Sequence, residues 1–289
     1  MLENVTILIK TYERYESLNY LLSSIARMNL HCHVMIADDS KTPYRDSIQK
    51  KYGGLVDKYI VLPFDSGLSK GRNVLVRNAS TKYFLLCEDD FIFDDRTNLE
   101  LLLECLENTD VELLGGMCYN RVLLVEGKNN ELIRNFLRLK VRTLRHMLLW
   151  RMYQNETLRK SLPIFRKEVV WDWYGSFRFE DGICYMSRLS DADYTSPFTR
   201  CDYVPNFFMA KTLTLIDKNV YWDDDIKLNG EHLDFFFRAK RQSLNVAITK
   251  EVGVVHQRIH PASYRTGRDD RHIMMRKNNL REIRVVDEK

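Results

Sequence analysis

The sequence predicts an α/β protein in which a mostly parallel central sheet is flanked by helices. Short apolar runs alternate with helical patterns over the first ninety residues, which is typical of parallel sheets. Polar or acidic residues directly follow several of these runs, at the strand ends where parallel sheets bind ligands. The composition agrees, since 45% of the 289 residues are hydrophobic and 29% are charged, as expected for a chain with a large core.

The order of the elements follows from the spacing of apolar residues. Residues 5–9 are apolar and largely β-branched, which indicates a strand, and residues 17–28 carry apolar side chains at helical spacing. Further strands are expected at 34–37, 59–62 and 83–87, with helices near 41–49 and 73–78. The strands lead into Thr11, the pair Asp38–Asp39 and the triplet Glu88–Asp89–Asp90. We therefore expect three polar clusters to meet at one edge of the sheet.

The segment from about 121 to 200 differs in character from its surroundings. Its stretch 131–160 is helical in pattern and heavily basic, with an apolar stripe beside a stripe of arginines. Such a helix either packs on the core, which is the more common case, or lies on a membrane with its arginines at the phosphates. We predict one domain over 1–260 with a helical, basic insertion at about 121–200. The basic tail, 261–289, is expected to form a loosely attached arm.

Charge and composition argue against a specific nucleic-acid partner. The net charge is only +4, from 44 basic and 40 acidic residues. The arginine-rich stretch carries mostly leucine between its arginines, whereas single-strand binders need aromatic side chains interleaved with a basic groove. Weak, salt-sensitive and nonspecific binding is the most that we expect.

Cysteine usage and hydropathy predict a compartment. The six cysteines are scattered, without paired or zinc-like spacing, which indicates free thiols in a reducing environment. The N-terminus leads directly into a strand pattern, and no apolar run approaches the length of a membrane span. We expect a cytoplasmic protein that works at the inner face of the membrane if the basic stretch contacts lipid.

The stretch LLCEDDFIF holds three consecutive carboxylates, Glu88, Asp89 and Asp90, between two apolar flanks. Clustered negative charge beside a core is costly unless a cation neutralises it, and paired or metal-bound carboxylates are the usual solution. A solvated turn after a strand explains the same pattern. On this stretch alone both interpretations remain open.

Four other motifs place polar residues at the ends of predicted strands or helices or within an apolar run. The loop GLSKGRN precedes a helix, where glycines and a basic residue can admit a phosphate, although a capped helix start explains it equally. Asn206 lies within the aromatic run VPNFFMAKT, and His256 ends the strand-like EVGVVHQ. In GEHLDFFFR, acidic residues precede an apolar helix. A strand-edge asparagine, a satisfied histidine and an acidic helix N-terminus are the structural alternatives.

Taken in order, the motifs resemble the nucleotide-sugar glycosyltransferases of the GT-A fold, in particular the β-1,4-N-acetylgalactosaminyltransferase-like group. The matching stretches are VTILIKTYERY, IADDS, YIVLPFDSGLSKGRN, YFLLCEDDFIF, DYVPNFFMAKT, GEHLDFFFR and VVHQ. They cover roughly Val5 to His256, except for the insertion at about 121–200, which matches nothing in the group. An ordered set of motifs is far more specific than any single one.

The resemblance implies a metal site. The acidic triplet looks like the family's DxD motif, with Asp90 as the main ligand and His256 completing the metal shell. Glu88 or Asp89 would hold the ribose or a metal-bound water, and Glu88 also counts as a candidate ligand. Its direct role stays open, because an aspartate is expected at that position. The implied cofactor is Mn²⁺ or Mg²⁺, since hard cations prefer carboxylates and Mn²⁺ also accepts imidazole.

The resemblance also implies roles for residues around the donor and the acceptor. Thr11, Asp39 and Arg72 would grip the uridine, with Asp39 accepting from the uracil N3–H. Asp38 and Asn73 are further nucleotide-sugar candidates, and Asn206 and His232 are candidates for contacting the sugar or the acceptor.

The catalytic base is expected in GEHLDFFFR. Glu231 and Asp234 are three residues apart and therefore on one side of a helical turn. We favour Glu231 as the base, with Asp234 binding the acceptor or orienting the site. The choice stays open because His232 stands where related enzymes have an aspartate.

The implied function is inverting, metal-dependent transfer of a sugar from a UDP-sugar to a glycan or glycolipid. The sugar would be GalNAc or another N-acetylhexosamine, and the product a bacterial capsule, lipooligosaccharide or other surface polysaccharide. A nucleotidyltransferase of similar fold would also need a strand-end carboxylate and Mg²⁺ but gives no reason for GEHLDFFFR. A catalytically degenerate GT-A module that binds glycans or partners is the non-enzymatic alternative, favoured by the departures at Glu88 and His232.

Overall fold

The computed structural model describes residues 2–122, 167–171, 173–190, 193–257 and 269–286. The basic stretch 131–160, with the predicted amphipathic helix and its membrane contact, lies outside these residues. Among the helices that the structure does describe, none is long and apolar enough to cross a membrane.

The first half alternates strands and helices as predicted. Its elements are a short 3-10 helix (Leu2–Asn4), β1 (Val5–Thr11), α1 (Tyr15–Met28), β2 (His33–Asp38), α2 (Arg45–Tyr52), β3 (Lys58–Val61), α3 (Leu68–Asn78), β4 (Tyr83–Glu88), β5 (Phe91–Ile92), α4 (Leu99–Asn108) and β6 (Leu113–Val122). Helix α3 begins at Leu68 rather than near Asn73, because Gly67 adopts a φ of +97° and turns the chain into the helix.

The second half is richer in strands. Its described elements are β7 (Lys167–Trp171), β8 (Gly175–Glu180), β9 (Ile183–Arg188), β10 (Thr199–Arg200), β11 (Phe208–Lys211), α5 (Thr212–Asp217), α6 (Glu231–Arg241), β12 (Val246–His256), α7 (Arg271–Lys277) and β13 (Glu282–Val286). The predicted helical character of the insertion is wrong for its last part, because β7 to β10 occupy much of 167–200.

The central sheet has the strand order β10-β12-β6-β11-β4-β1-β2-β3. Strands β3, β2, β1 and β4 are parallel neighbours, which confirms the α/β prediction. Strand β11 is antiparallel to both β4 and β6, while β12 is parallel to β6, so the far half of the sheet is mixed. The register sets Thr11 beside Asp38 and Lys10 beside Glu88, so the polar strand ends lie side by side.

Helices cover both faces of this sheet. Side chains of β1 alternate between two cores, with Ile7 and Ile9 on one face and Leu8 on the other. Helices α1, α2 and α4 pack on the first face, and α3, α5 and α6 pack on the second. All seven residues of β1 are buried, as expected for a parallel strand that is covered on both faces.

The C-terminal segment is part of the fold. Strand β13 pairs in parallel with β9 in a separate three-stranded sheet, and Met274 of α7 is fully buried against the second core. The expectation of a loosely attached arm is therefore wrong for residues 269–286. Its apolar residues are few, but the short helix buries Met274 and the short strand is held by its pairing with β9.

Candidate functional site

The polar strand ends meet at one edge of the sheet, as the sequence predicts. Thr11 at the end of β1 donates from Oγ1 to Oδ2 of Asp89, at 2.8 Å. Lys10, one residue earlier, donates from Nζ to Asp39 beyond the end of β2 and to the carbonyl of Thr11. The clusters that follow β1, β2 and β4 therefore form one connected polar site.

Three side chains at this edge lie close enough together to hold a metal ion. One ligand atom each from Glu88, Asp90 and His256 lie within 4.8 Å of one another. Nδ1 of His256 lies 2.9 Å from Oδ1 of Asn120, and this contact turns Nε2 toward Asp90, at 3.3 Å from Oδ2. Two carboxylates and an imidazole form a donor set that suits Mn²⁺, and the carboxylates alone suit Mg²⁺.

Arg14, just before α1, contacts the same carboxylates. Its Nη1 lies 2.8 Å from Oδ1 of Asp89, and its Nη2 forms an ion pair with Oδ2 of Asp90. All three side chains are almost completely buried. Burial raises the pKa of Asp89 to about 6, while the Arg14 guanidinium acts in the opposite direction. Arg14 therefore neutralises part of the negative charge of the triplet.

Asp39 is held by a cation and by a glycine backbone. Its Oδ1 accepts from Lys10, and its Oδ2 accepts from the backbone N–H of Gly67 at 2.8 Å. Burial lowers the pKa of Lys10 and raises the pKa of Asp39, and the ion pair opposes both shifts. Gly71 makes room for this pair, because a Cβ there would lie 2.3 Å from Cδ of Lys10. The glycines of GLSKGRN thus have a packing explanation in this structure.

Arg72 connects Glu88 of this cluster to the predicted base, Glu231. Its Nη2 lies 3.2 Å from Oε1 of Glu88, and its Nη1 lies 3.4 Å from Oε1 of Glu231, the first residue of α6. The guanidinium carbon lies 5.6 Å from the ring centroid of Trp222. Asn206 donates from Nδ2 to the same Oε1 of Glu88 at 2.7 Å. The side chains of Asn206, Glu88, Arg72 and Glu231 therefore form a continuous chain of contacts.

Asp38 and Asn73 bind neighbouring parts of the protein. Asp38 is fully buried and accepts from the backbone N–H groups of Ser40 and Tyr44 and from the hydroxyl of Tyr59. Asn73 exchanges hydrogen bonds with the backbone of Trp222 and donates to Asp224. Their polar atoms fix the turn after β2 and the loop that carries Trp222.

His232 and Asp234 also make structural contacts. Nε2 of His232 lies 2.8 Å from the carbonyl oxygen of Val204, and its ring packs against Trp173 with centroids 4.4 Å apart. Burial lowers the pKa of His232 to about 3. Asp234 accepts from Arg238 at 2.7 Å and from Asn278 at 2.8 Å, so it joins α6 to the C-terminal segment. Of the two carboxylates in GEHLDFFFR, Glu231 is the one that contacts Arg72.

Lys10, Tyr12 and Arg14, at and just after the end of β1, are not among the residues predicted from the sequence. With Leu68, Arg72 and Cys87 they line a small cleft around the acidic triplet. Only Arg14 had a local signal, because an arginine three residues after β1 can supply the cation that the triplet requires.

The chain is similar in sequence to known glycosyltransferases. A family model described as glycosyl transferase family 2 matches residues 6–172. Human beta-1,4 N-acetylgalactosaminyltransferase 1 is 45% identical over 112 residues, which are 39% of this chain and 20% of that protein. Mouse beta-1,4 N-acetylgalactosaminyltransferase 2 is 39% identical over 112 residues, which are 39% of this chain and 21% of that protein. The matched segment thus spans about a fifth of these relatives.

Solved structures show that the fold is shared. S. aureus TarS 1–349 in complex with UDP-GlcNAc superposes with a TM-score of 0.60 at 13% identity, covering 94% of this chain and 64% of that one. GalNAc-T7 with UDP, GalNAc and Mn²⁺ gives a TM-score of 0.59 at 11% identity, covering 88% of this chain and 44% of that one. These neighbours have the GT-A fold, so the expected fold is confirmed.

Proposed function

The chain belongs to glycosyl transferase family 2, and on this premise we propose that it transfers a sugar from a UDP-sugar to a hydroxyl group of a glycan or glycolipid. The resemblance to β-1,4-N-acetylgalactosaminyltransferases is confirmed by the matches to human and mouse members. The observation that carries the proposal is the chain of contacts from the cluster of Glu88, Asp90 and His256 through Arg72 to Glu231. It joins a site for a diphosphate to a carboxylate that can take a proton.

Glu88, Asp90 and His256 would hold a divalent cation, Mn²⁺ or Mg²⁺. When bound, such a cation stabilises the negative charge that develops on a nucleoside diphosphate leaving group. The chemistry of the donor set supports this assignment, and GalNAc-T7 was solved with UDP, GalNAc and Mn²⁺. Asn206 positions Glu88 through its hydrogen bond, and Asn120 orients His256.

The nucleotide is proposed to lie over the carboxyl ends of β1 and β2. Thr11 and Asp39 line this position, with Asp39 held in place by Lys10 and Gly67. Tyr12 and Phe64 add aromatic faces, with ring centroids 5.9 Å apart and 57% of Phe64 exposed. Such faces suit a uracil ring, which needs stacking partners as well as hydrogen bonds. TarS was solved with UDP and with UDP-GlcNAc, which supports a UDP-linked donor.

The resemblance implies that Arg72 grips the uridine, but its contacts with Glu88 and Glu231 favour a contact with the diphosphate of the same nucleotide. Asp89 is proposed to contact the ribose. The planar guanidinium of Arg72 is held by two carboxylates and is therefore pre-oriented for a bidentate anion contact. Asp89 accepts from Thr11 and is paired with Arg14, which keeps its carboxylate beside the nucleotide position. Asp38 and Asn73 are proposed to act indirectly, because they fix the turn and the loop that border the site.

Glu231 is proposed to act as the base for inverting transfer. A single displacement requires a group that takes the proton of the acceptor hydroxyl while its oxygen attacks the sugar C1. Glu231 begins α6 after Gly230, whose φ of +100° turns the chain so that the first side chain of the helix reaches Arg72. Asp234 instead anchors α6 through Arg238 and Asn278, and His232 packs on Val204 and Trp173.

The proposed donor sugar is GalNAc or another N-acetylhexosamine, and the proposed acceptor is a surface glycan or its lipid-linked precursor. The donor assignment is supported by the named activity of the similar human and mouse proteins and by the UDP-GlcNAc bound to TarS. The acceptor class follows from the family resemblance.

A donor screen tests the proposal. Purified protein is incubated with UDP-GalNAc, UDP-GlcNAc, UDP-glucose or UDP-galactose and Mn²⁺, with and without oligosaccharide or glycolipid acceptors, and free UDP is measured. We expect UDP release with an N-acetylhexosamine donor, and a faster release when an acceptor is present. Release of pyrophosphate would instead indicate a nucleotidyltransferase. UDP binding without turnover on any donor and acceptor pair would favour a degenerate binding module.

A further inference from the structure

Arg14 supplies the positive charge that the buried aspartates share in this structure. Its two terminal nitrogens contact different carboxylates, Asp89 through Nη1 and Asp90 through Nη2. Less than a tenth of any of these side chains is exposed, so water screens the contacts poorly. Charge-assisted contacts of this bridging kind are among the stronger interactions that an arginine makes.

The position of Arg14 is fixed by its backbone. Its carbonyl oxygen accepts from the backbone N–H of Leu18 in the first turn of α1. The preceding residue, Glu13, has a φ of +52°, which is uncommon for a residue with a side chain, and its N–H donates to Oγ of Ser40 at 2.7 Å. The helix on one side and this strained turn on the other direct the guanidinium into the acidic cluster.

The carboxylate of Asp90 therefore belongs both to the ion pair with Arg14 and to the cluster with Glu88 and His256. Its Oδ2 is in contact with Nη2 of Arg14 and lies 3.3 Å from Nε2 of His256. The same residue forms the predicted metal cluster with Glu88 and His256. A guanidinium and a divalent cation next to one carboxylate repel each other, and this repulsion is strong in a buried site.

We propose that Arg14 is a built-in counter-ion that competes with the divalent cation for Asp90, so that the metal binds weakly alone and tightly only together with the nucleotide. The inference rests on the proposed function. The carboxylates of Glu88, Asp89 and Asp90 alone balance the metal and the displaced guanidinium poorly. A bound diphosphate adds the negative charge that is needed to balance both cations. Because the coupling free energy between two bound ligands is reciprocal, the metal must strengthen UDP binding by the same factor as UDP strengthens metal binding.

The test measures Mn²⁺ affinity rather than turnover. Mn²⁺ is titrated calorimetrically into the full chain, with and without saturating UDP, for wild type, Arg14→Gln, Arg14→Lys and Arg200→Gln. Arg200 is the matched control, because its exposed guanidinium pairs only with the exposed Asp110 among the ion pairs of the described residues. Arg200→Gln also removes one positive charge, but at a position far from the acidic triplet in the sequence.

Without UDP, we expect Arg14→Gln to bind Mn²⁺ about tenfold or more tightly than wild type, a change of at least about 1.4 kcal/mol. Arg14→Lys, which keeps the charge but cannot bridge two carboxylates in the same way, should fall between them. Arg200→Gln should match wild type. With UDP, the difference between wild type and Arg14→Gln should shrink. Thermal unfolding with and without Mn²⁺ should show the larger metal-induced stabilisation in Arg14→Gln.

Equal Mn²⁺ affinities of wild type and both Arg14 variants without UDP would overturn the inference and leave the metal assignment intact. Weaker Mn²⁺ binding by Arg14→Gln would also overturn it. If no variant binds Mn²⁺ even with UDP, the proposed cofactor fails together with the inference. Should Arg14→Gln not fold, the comparison of wild type with Arg14→Lys decides, and equal affinities there count against the inference.

Discussion

Glu231 is the residue on which the proposed chemistry depends most directly. Its carboxylate contacts Arg72, whereas Asp234, one turn along, is paired with Arg238 and Asn278. We predict that Glu231→Gln lowers kcat by about 10²–10⁴-fold, the usual contribution of a general base, and leaves UDP binding largely in place. Steady-state kinetics with the best donor, together with UDP titration, measure both quantities.

The isosteric change Asp234→Asn is the matched control. It should retain most of kcat and lower the free energy of unfolding by about 1–3 kcal/mol, because it weakens a buried charged contact. Equal losses of kcat in the two variants would leave the base unassigned, and a larger loss in Asp234→Asn would move the assignment to Asp234.

His232 gives the protein a pH-dependent stability. Its folded-state pKa of about 3 lies below that of an unfolded histidine, because burial disfavours the charged ring. Protons therefore bind the unfolded chain preferentially below about pH 6.5, and the free energy of unfolding falls as the pH drops. From pH 6.5 to 5 this histidine should lower the free energy of unfolding by about 1.6 kcal/mol.

The comparison with His232→Gln isolates this effect. Urea unfolding of both proteins at pH 6.5 and 5 should show a fall in wild-type stability that exceeds the fall in the variant by about 1.6 kcal/mol. Asp89, whose raised pKa acts in the opposite direction over part of this range, is common to both proteins and cancels. Parallel pH profiles would contradict a neutral, buried His232.

The sequence identified site residues better than it identified their partners. The triplet, His256 and Glu231 were found because acidic residues and a histidine at strand and helix ends are visible locally. The partners of Asp38, His232 and Asp234 are Tyr59, Val204 and Asn278, which only the folded chain brings near. An arginine close after β1 is visible locally, but its pairing with Asp90, 76 positions later, is not.

At the scale of elements, the start of α3 controls the nucleotide side of the site. Gly71 lies against the stem of Lys10, and an added Cβ would approach Cδ and Cε to 2.3 and 2.6 Å. Gly71→Ala should therefore displace Lys10 from Asp39 and weaken UDP binding by about tenfold or more. Overpacking of this kind should also destabilise the fold by about 1–3 kcal/mol, although alanine favours a helix more than glycine does.

Gly54→Ala provides the control for this substitution. A Cβ at Gly54 would meet nothing within 4 Å, and its φ is not in the left-handed region. It should leave UDP affinity and stability nearly unchanged. UDP titration and urea unfolding measure the UDP affinity and the stability of both variants. Equal values for the two variants would show that the Lys10–Asp39 pair tolerates displacement.

Element prediction from the sequence succeeded where periodicity is regular. The alternation of strands and helices up to β4 was read correctly, apart from the early start of α3. It failed at 167–200 and at 269–286, where short strands occur. Strand β13 is exposed at three of its five positions and forms only by pairing with β9, so a pattern within its own five residues could not predict it.

At the scale of the whole molecule, the site lies where two halves of the sheet meet. The parallel half carries Thr11, Asp39 and the acidic triplet, and the mixed half carries His256 and the region that leads to Glu231. Strand β11 joins them by pairing antiparallel with both β4 and β6. This pairing could not be predicted from the sequence, because it depends on contacts between residues about a hundred positions apart.

The most direct test of a metal-dependent UDP-sugar site is calorimetric titration of UDP into the wild-type protein with Mn²⁺ and with EDTA, and into Asp90→Asn with Mn²⁺. Asp110→Asn serves as the control, since Asp110 is exposed and pairs with Arg200 at the surface. We predict that UDP binds wild type and Asp110→Asn alike with Mn²⁺, and at least about tenfold more weakly in EDTA or with Asp90→Asn. UDP affinity that is indifferent to Mn²⁺ and to Asp90 would contradict the account.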